Sequence, residues 1–471
     1  MQHLYLLNAL QLACTKNLLK NVFRYIYSLI KFLFVISDWP MMACWRCCSR
    51  IFDCWSETFF RKPYRKAKSI WDDPILRKIV IIYLVTFFVV LPLLCYKLPH
   101  SSYSMHTESA KNDLRSKIQT DNDYRKRQAF NYFDMLNRTG LHSALNKQTG
   151  PLDIFISIVT VSRNRHRFDT YEPKYLSQVA WKLLELYYRE LSQGMERNIK
   201  MAVCNVDMNP IGYLEATYLE NFIPVISRYD KLTLSMVHPL EKEKQDYVFC
   251  LNASALYRPK YVLLIEDDAL PHDDFFQVLD HMLQTKVEHN HDHYNGLFAV
   301  NTDVTYIKLY HPERLLGYIN FEPDRLPELL GIALFFGTIF YNLFSCVYLN
   351  QTSKTYVNLW VLFGVYAAFV AITIGRSHLV ELRRTFSPHF YTYVKSPECC
   401  TPAMVFPYDG AIQVINYLND TSCGRNYGKD MALERMKRDL KISSFMIQPN
   451  LVTHIGLYSS LRDKVLDPFV V

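Results

Sequence analysis

Three stretches of the chain carry almost no polar side chains. Ile79–Tyr96 (IVIIYLVTFFVVLPLLCY) runs 18 residues without a charge. A helix of that length spans roughly 27 Å, close to a hydrocarbon core of about 30 Å. Leu329–Leu349 (LLGIALFFGTIFYNLFSCVYL) and Val357–Ile374 (VNLWVLFGVYAAFVAITI) repeat the pattern. Only Asn350–Tyr356 joins the last two, so they are expected to cross a bilayer and return as a tight hairpin. The alternative, a helical pair buried in a soluble core, fits poorly with two long runs that lack a polar face. Arg61, Lys62, Arg65, Lys66, Lys68, Arg77 and Lys78 precede the first run. Flanking Lys and Arg stay cytoplasmic, which puts the N-terminus in the cytosol and residues 97–328 and 375–471 together in the lumen. The hairpin turn, with Lys354, then faces the cytosol.

The luminal parts follow a different rhythm. Residues 97–150 are polar, with a helical stretch near Asp123–Leu136, and read as a stem between membrane and domain. Asp153–Val161 (DIFISIVTV) is a buried strand, followed by a helix over Lys174–Leu191 and a second strand over Lys200–Val206. A helix over Glu241–Tyr257 precedes a third strand, Tyr261–Ile265, which ends directly in Glu266-Asp267-Asp268. Strands alternating with helices argue for an α/β layer with a mostly parallel sheet. Such sheets bind ligands beyond the carboxyl ends of their strands, where the acidic triplet and Ser162-Arg163 fall.

The 471 residues carry 53 Lys+Arg against 45 Asp+Glu, and half are hydrophobic. That excludes a disordered chain, a collagen-like repeat and a coiled coil. A net charge of +8 is no nucleic-acid signature, and no nucleic-acid partner is expected. The mean hydropathy of −0.05 averages the apolar runs with a polar, tyrosine-rich remainder. Within residues 1–78, Phe23–Ser37 reads as an interfacial amphipathic helix or a fourth span. Cys44, Cys47, Cys48 and Cys54 look like a metal cluster, but a cytosolic, membrane-adjacent position favours reduced or palmitoylated thiols. Cys204, Cys250, Cys399, Cys400 and Cys423 are luminal and free to form disulfides whose pairing the sequence leaves open. Of the sequons at Asn137, Asn252, Asn350 and Asn419, the luminal placement admits all but Asn350.

Two or three carboxylates after a buried strand make a hard oxygen site. Mg²⁺ or Mn²⁺ binds through one or two carboxylates and completes its shell with water and phosphate oxygens. That suits a nucleotide diphosphate, whose leaving charge the metal neutralises. An isolated EDD is also an ordinary solvated turn. Behind an N-terminal anchor, in a lumen, it matches the plan of a Golgi glycosyltransferase.

The motifs KQDYVFCL (from Lys244), YVLLIEDDALP, IKLYHPERLLGYINFEP, ECCTPAMVFP, YGKDMALE and QPNLVTHIGLYSSLR occur in that order. Together they resemble the Golgi enzymes that add N-acetylgalactosamine to glycosylphosphatidylinositol (GPI) anchors after attachment to protein. The resemblance covers about residues 75–462. It implies an α/β fold: a GT-A-like glycosyltransferase domain interrupted by a tandem transmembrane helical hairpin, behind an N-terminal transmembrane anchor. The domain would have its first part at 151–328, the hairpin at 329–374 and its second part at 375–471. The implied reaction is inverting transfer of GalNAc from UDP-GalNAc to a mannose of the anchor glycan, with Mn²⁺ or Mg²⁺, on GPI-anchored proteins at the bilayer. A fainter similarity to N-acetylglucosaminyltransferase IV keeps N-glycan branching open. A cargo receptor or scaffold, in which EDD is a surface turn, is the non-catalytic alternative. Residues 1–70 do not align with the family, and His281–Thr305 looks longer than its usual connection.

By this resemblance Glu266 and Asp268 hold the metal, with Asp267 at the donor and His454 of THIGLYSS as nitrogen ligand or phosphate contact. A lone His at a strand end is otherwise commonly structural. Ser459 and Ser460 would donate to phosphate, or cap a turn. Thr160 and Arg163 would grip uridine and diphosphate, since guanidinium can pair two oxygens; Arg163, Arg165 and Arg167 read equally as a basic loop. Lys244, Gln245 and Asp246 would open a helix face near the triplet, with Asp246 on a base or ribose edge; the competing account is i,i+4 charge pairing in EKEKQD. Asp430 is expected at a helix N-terminus, as a cap or as the general base that takes the acceptor proton. Glu328 and Glu381, flanking the hairpin, are its rivals. Cys399 and Cys400 read as structural disulfide partners, and His289-Asn-His291-Asp-His293 as an exposed insertion.

Overall fold

The computed structural model describes residues 73–104, 106–140, 150–163, 171–233, 237–288, 304–318, 325–348, 357–460 and 464–469. The expectations for residues 1–70, Arg165 and Arg167, the His289–His293 tract, and the turn holding Asn350 and Lys354 lie outside them. The chain divides into two units at Val89 and Val90. The described end of the first is an apolar helix, α1 (Pro74–Val85), continued by a π-helical segment from Thr86. Asp73 caps α1 by accepting from Ile75 N at 2.8 Å and Leu76 N at 3.2 Å, with Pro74 at the first position where no donor is needed. The second unit opens with α2 (Leu91–Cys95).

Its centre is an eight-stranded sheet in the order β3-β2-β1-β4-β8-β6-β9-β7. The strands before the hairpin are β1 (Ile154–Thr160), β2 (Ile199–Asn205), β3 (Val225–Ser227), β4 (Tyr261–Glu266) and β6 (Val304–Lys308). Those after it are β7 (Thr392–Lys395), β8 (Ala403–Pro407) and β9 (Ser443–Gln448). The run β3-β2-β1-β4 is parallel, so Asn205, Ser227, Thr160 and Glu266 end on one edge. β8 then runs antiparallel between β4 and β6. Strands from both sides of the hairpin thus interleave in one sheet.

The period-2 alternation of the strands fills two cores, one on each face. Ile154, Ile156 and Ile158 of β1 join Leu263 and Ile265 of β4 on one side, under α4 (Tyr175–Ser192). Val262 and Leu264 face the other, packed against α6 (Pro239–Ala255), α11 (Tyr408–Asp420) and α12 (Lys429–Asp439). A disulfide between Cys204 of β2 and Cys250 of α6 staples sheet to helix on that side. The second disulfide joins the neighbours Cys399 and Cys400. Cys423 is free.

The segment expected as a stem is largely one helix, α3 (Glu108–Thr139). Its Ala129, Phe133 and Leu136 are buried in the first core, at the i, i+4, i+7 spacing of one face. The helix therefore packs into the domain rather than standing apart from it. Its overall polarity hid a narrow apolar stripe.

Among the described residues, three helices are long and apolar enough to cross a membrane: Pro74–Cys95, α8 (Arg325–Tyr348) and α9 (Val357–Ile374). α8 and α9 pack backbone to backbone where Gly337 meets Gly364; a Cβ on Gly337 would lie 2.6 Å from Gly364 Cα. Small residues permit this approach between helices in lipid. Trp360 Nε1 donates to Thr338 Oγ1 across the pair at 2.9 Å. The sequons at Asn137, Asn252 and Asn419 are exposed.

Candidate active site

Glu266-Asp267-Asp268 forms the turn between β4 and the short β5 (Ala269–Pro271). β10 (Val452–His454) pairs antiparallel with β5, placing His454 opposite Ala269. That register carries His454 Nε2 to 3.5 Å from Asp268 Oδ2. Ile455 N donates to Asp268 O at 2.8 Å. Gly456 follows, and a Cβ there would fall 2.1 Å from Asp268 Oδ2. A side chain at this point would force the Asp268 carboxylate to move.

The three carboxylates are partnered differently. Thr160 Oγ1, at the end of β1, donates to Asp267 Oδ2 at 2.7 Å. The Arg163 guanidinium bridges Asp267 Oδ1 and Asp268 Oδ2, the latter at 2.9 Å. It lies against the Tyr175 ring, 5.1 Å from its centroid, and donates to Tyr458 O. Tyr175 Oη accepts in turn from Leu457 N at 3.0 Å. Glu266 Oε1 is paired with Lys429 Nζ at 2.9 Å, which also meets Glu243 Oε1 at 2.8 Å. Asp268 Oδ1 is buried and has no hydrogen-bond partner.

Burial pushes Glu266 and Asp267 above the usual carboxylate range despite Lys429 and Arg163. Burial acts on Asp268 in the same direction, but Arg163 and His454 outweigh it and hold this carboxyl well below that range. Burial alone would lower the His454 imidazole; the Asp268 carboxylate reverses this and raises it. One triplet therefore contains two carboxyls that gain protons readily and one that resists them.

Asp430 does not cap its helix. Gly428 holds the cap position, and Asp430 turns to the loop before β8, accepting from Cys400 N at 3.3 Å and Thr401 Oγ1 at 3.1 Å. Glu266 N donates to Pro402 O at 2.7 Å, so this loop adjoins the triplet. The first turn of α12 thus sends Lys429 to Glu266 and Asp430 to the Cys400–Thr401 turn. Asp430 also lies within ligand reach of both sulfurs, but their disulfide leaves no thiolate there.

Other expected residues lie elsewhere. Lys244 Nζ donates to Leu418 O and Thr421 O and pairs with Glu241. Asp246 is held by Arg228 and Lys242, and Gln245 by Arg228 and Glu241. The face of α6 that reaches the triplet is instead Glu243 and Tyr247, an i,i+4 pair; Lys429 Nζ stands 5.0 Å from the Tyr247 ring centroid. A shift of one helical position redirects a side chain by about 100°. Glu328 is bound by Arg376 at 2.7 Å and Arg383 at 3.2 Å, and Glu381 pairs with Arg384 at 3.1 Å; these rivals of Asp430 anchor the hairpin's flanks. Ser459 lies in β11 (Tyr458–Ser459) and Ser460 in the turn after it, both half-buried.

Lys429, Tyr175, Glu243 and Tyr310, whose ring is 6.1 Å from that of His454, were not singled out from the sequence. Lys429 was within YGKDMALE, but only its neighbour carried an evident role. A cavity of about 80 Å³ beside Asp267 is lined by Ser162, Arg163, Tyr175, Tyr213 and Glu215, among others. The arrangement is a cluster of acids held by fixed cations at the carboxyl edge of a parallel sheet, the edge at which such sheets bind ligands. A family model described as GPI-N-acetylgalactosamine transferase PGAP4 matches residues 154–453, from β1 through the hairpin to β10, well over half of the chain. The chain belongs to this family of glycosyltransferases.

Proposed function

We propose that this protein transfers N-acetylgalactosamine from UDP-GalNAc to a mannose of the GPI anchor on GPI-anchored proteins, in the Golgi lumen, with inversion at the anomeric carbon. A GT-A-type donor site with Mn²⁺ or Mg²⁺ is part of the same reading. The observation that carries it is the meeting of Asp268, inside the matched region, and His454, the residue directly after its end, from opposite sides of the hairpin.

The residues present suit a divalent cation. Asp268 keeps one buried, unpartnered carboxylate oxygen, and an imidazole lies beside the other. When bound there, the cation would neutralise charge on the departing diphosphate. Arg163 would turn its fork to the same diphosphate, with Thr160 keeping Asp267 oriented. Ser459 and Ser460 lie on the same C-terminal segment and offer hydroxyl donors. The acceptor hydroxyl oxygen forms the new bond to the anomeric carbon while the bond to the UDP β-phosphate oxygen breaks. Asp430 takes the hydroxyl proton, and UDP leaves with the bonding electrons. Lys429 fixes the position of Glu266 by pairing with it and with Glu243.

The test is mass spectrometry of anchor glycans released from cells lacking the protein and from cells re-expressing it. The wild type is expected to restore a side-chain HexNAc, identified as GalNAc by its donor requirement, and Asp268→Ala to leave it absent. Restoration by Asp268→Ala would support a non-catalytic scaffold, and a GlcNAc product would support the N-glycan-type alternative.

A further inference from the structure

We propose that α10 (Arg376–Phe386) and the turn after it form a seat in the bilayer interface, with Leu382, Phe386 and Phe390 entering the lipid headgroup–acyl boundary. This rests on reading α8 and α9 as membrane spans, and it adds a contact surface to them.

The helix starts directly after α9, at Gly375, whose φ of +99° breaks the span and turns the chain. Its inward face is fully engaged. Arg376, Ser377 and Val380 are buried. Arg384 pairs with Asp274 and donates to Asn450 O. Its outward face carries Leu382 at 54% exposure and Phe386 at 80%, and Phe390 beyond the helix is 63% exposed. Leu382 and Phe386 are i,i+4 neighbours, so they form one apolar stripe.

The height of this stripe is set by ion pairs. Arg376 and Arg383 are two turns apart, about 10 Å along the axis, yet both reach the carboxylate of Glu328 in the first turn of α8. α10 therefore lies across the end of α8 instead of rising away from it. At its start, His378 Nε2 is 2.6 Å from Pro99 O, and Ser102 N donates to Thr373 O at 2.9 Å. Pro99 follows closely on α2, the end of the first membrane-length helix. The ends of all three membrane-length helices thus meet α10 or its flank. Exposed aromatic and aliphatic groups at that level match an interfacial helix, whose apolar face enters the bilayer a few ångströms deep. A lipid surface is the occupant continuous with the apolar exteriors of α8 and α9.

The experiment uses the full chain in phosphatidylcholine nanodiscs, with p-benzoylphenylalanine at position 386, 390 or, as the control, 256. Leu256 is 76% exposed shortly before the start of β4, whereas α10 is tied through Arg376 to Gln448 at the opposite, carboxyl edge of the sheet. After irradiation and proteolysis, peptides containing 386 and 390 are expected to gain the mass of one phospholipid, and the peptide containing 256 is not. Lipid adducts no more frequent at 386 and 390 than at 256, or cross-links there to protein only, overturn the proposal. The readout needs no catalysis, so failure of the proposed transferase reaction is seen separately, in the released anchor glycans.

Discussion

His454 Nε2 stands 3.5 Å from Asp268 Oδ2, although both helices of the apolar hairpin lie between the two residues in sequence. The pairing of β10 with β5 closes this distance. Asp268→Asn and His454→Ala are therefore expected to lower transfer by about 10–100-fold or more while the protein still folds, as for residues that hold or orient a metal. Initial rates on a lipid-linked acceptor, with thermal unfolding as the folding control, decide this; unchanged rates for both variants would remove the pair from catalysis.

Gly456→Ala tests the same corner from the backbone side. The added methyl would lie 2.1 Å from Asp268 Oδ2 and 2.8 Å from its Cγ, so the carboxylate must move. Since the obstacle is a side chain, the fold is expected to survive and donor binding to weaken. UDP affinity by calorimetry reads this directly, and wild-type affinity would show that the Asp268 position is unimportant.

Lys429 is the sole cation that the described ion pairs give to Glu266 and Glu243. Lys429→Met leaves two half-buried carboxylates side by side and is expected to cost about 3 kcal/mol of stability, the order seen when one partner of a buried pair is removed. Adding Glu266→Gln to that variant should recover part of the loss. Equal thermal stability of the single and double variants would contradict the pairing.

His311 gives a pH dependence with a definite sign. Its side chain is buried with both ring nitrogens unpartnered. Burial first, then Lys308, Arg325 and Arg376, push its pKa down to about 3. The unfolded value is about 6.5, so between these limits the unfolded chain binds the extra proton. Stability associated with neutral His311 is present above about pH 6.5 and is lost as pH falls toward the folded value. The melting temperature of the wild type should therefore fall more steeply on acidification than that of His311→Phe. Parallel curves would rule this out.

Replacing residues 329–374 by a short soluble turn tests what the hairpin contributes. If it holds the catalytic face at a fixed height over the bilayer, activity on a lipid-linked acceptor should fall well below activity on the delipidated one, through lost proximity. Equal retention of both activities would exclude that role.

The apolar runs, the alternating strands and the ordered motifs were legible along the chain because each depends on local periodicity or a contiguous set of residues. Local information also marked the EDD turn, since it directly follows a buried strand. It could not say which side of α6 meets that turn: Lys244 and Asp246 stand one and three positions from Glu243, and only packing of the helix on the sheet selects a face. Nor could it pair Cys204 with Cys250, fold Phe133 of a polar helix into the core, or give Glu266 to Lys429 and Asp268 to Arg163 and His454. Sequence determined which elements form and that acids end a central strand. The tertiary structure decided which charges those acids face, because side chains distant in the chain meet only once strand order and register are set.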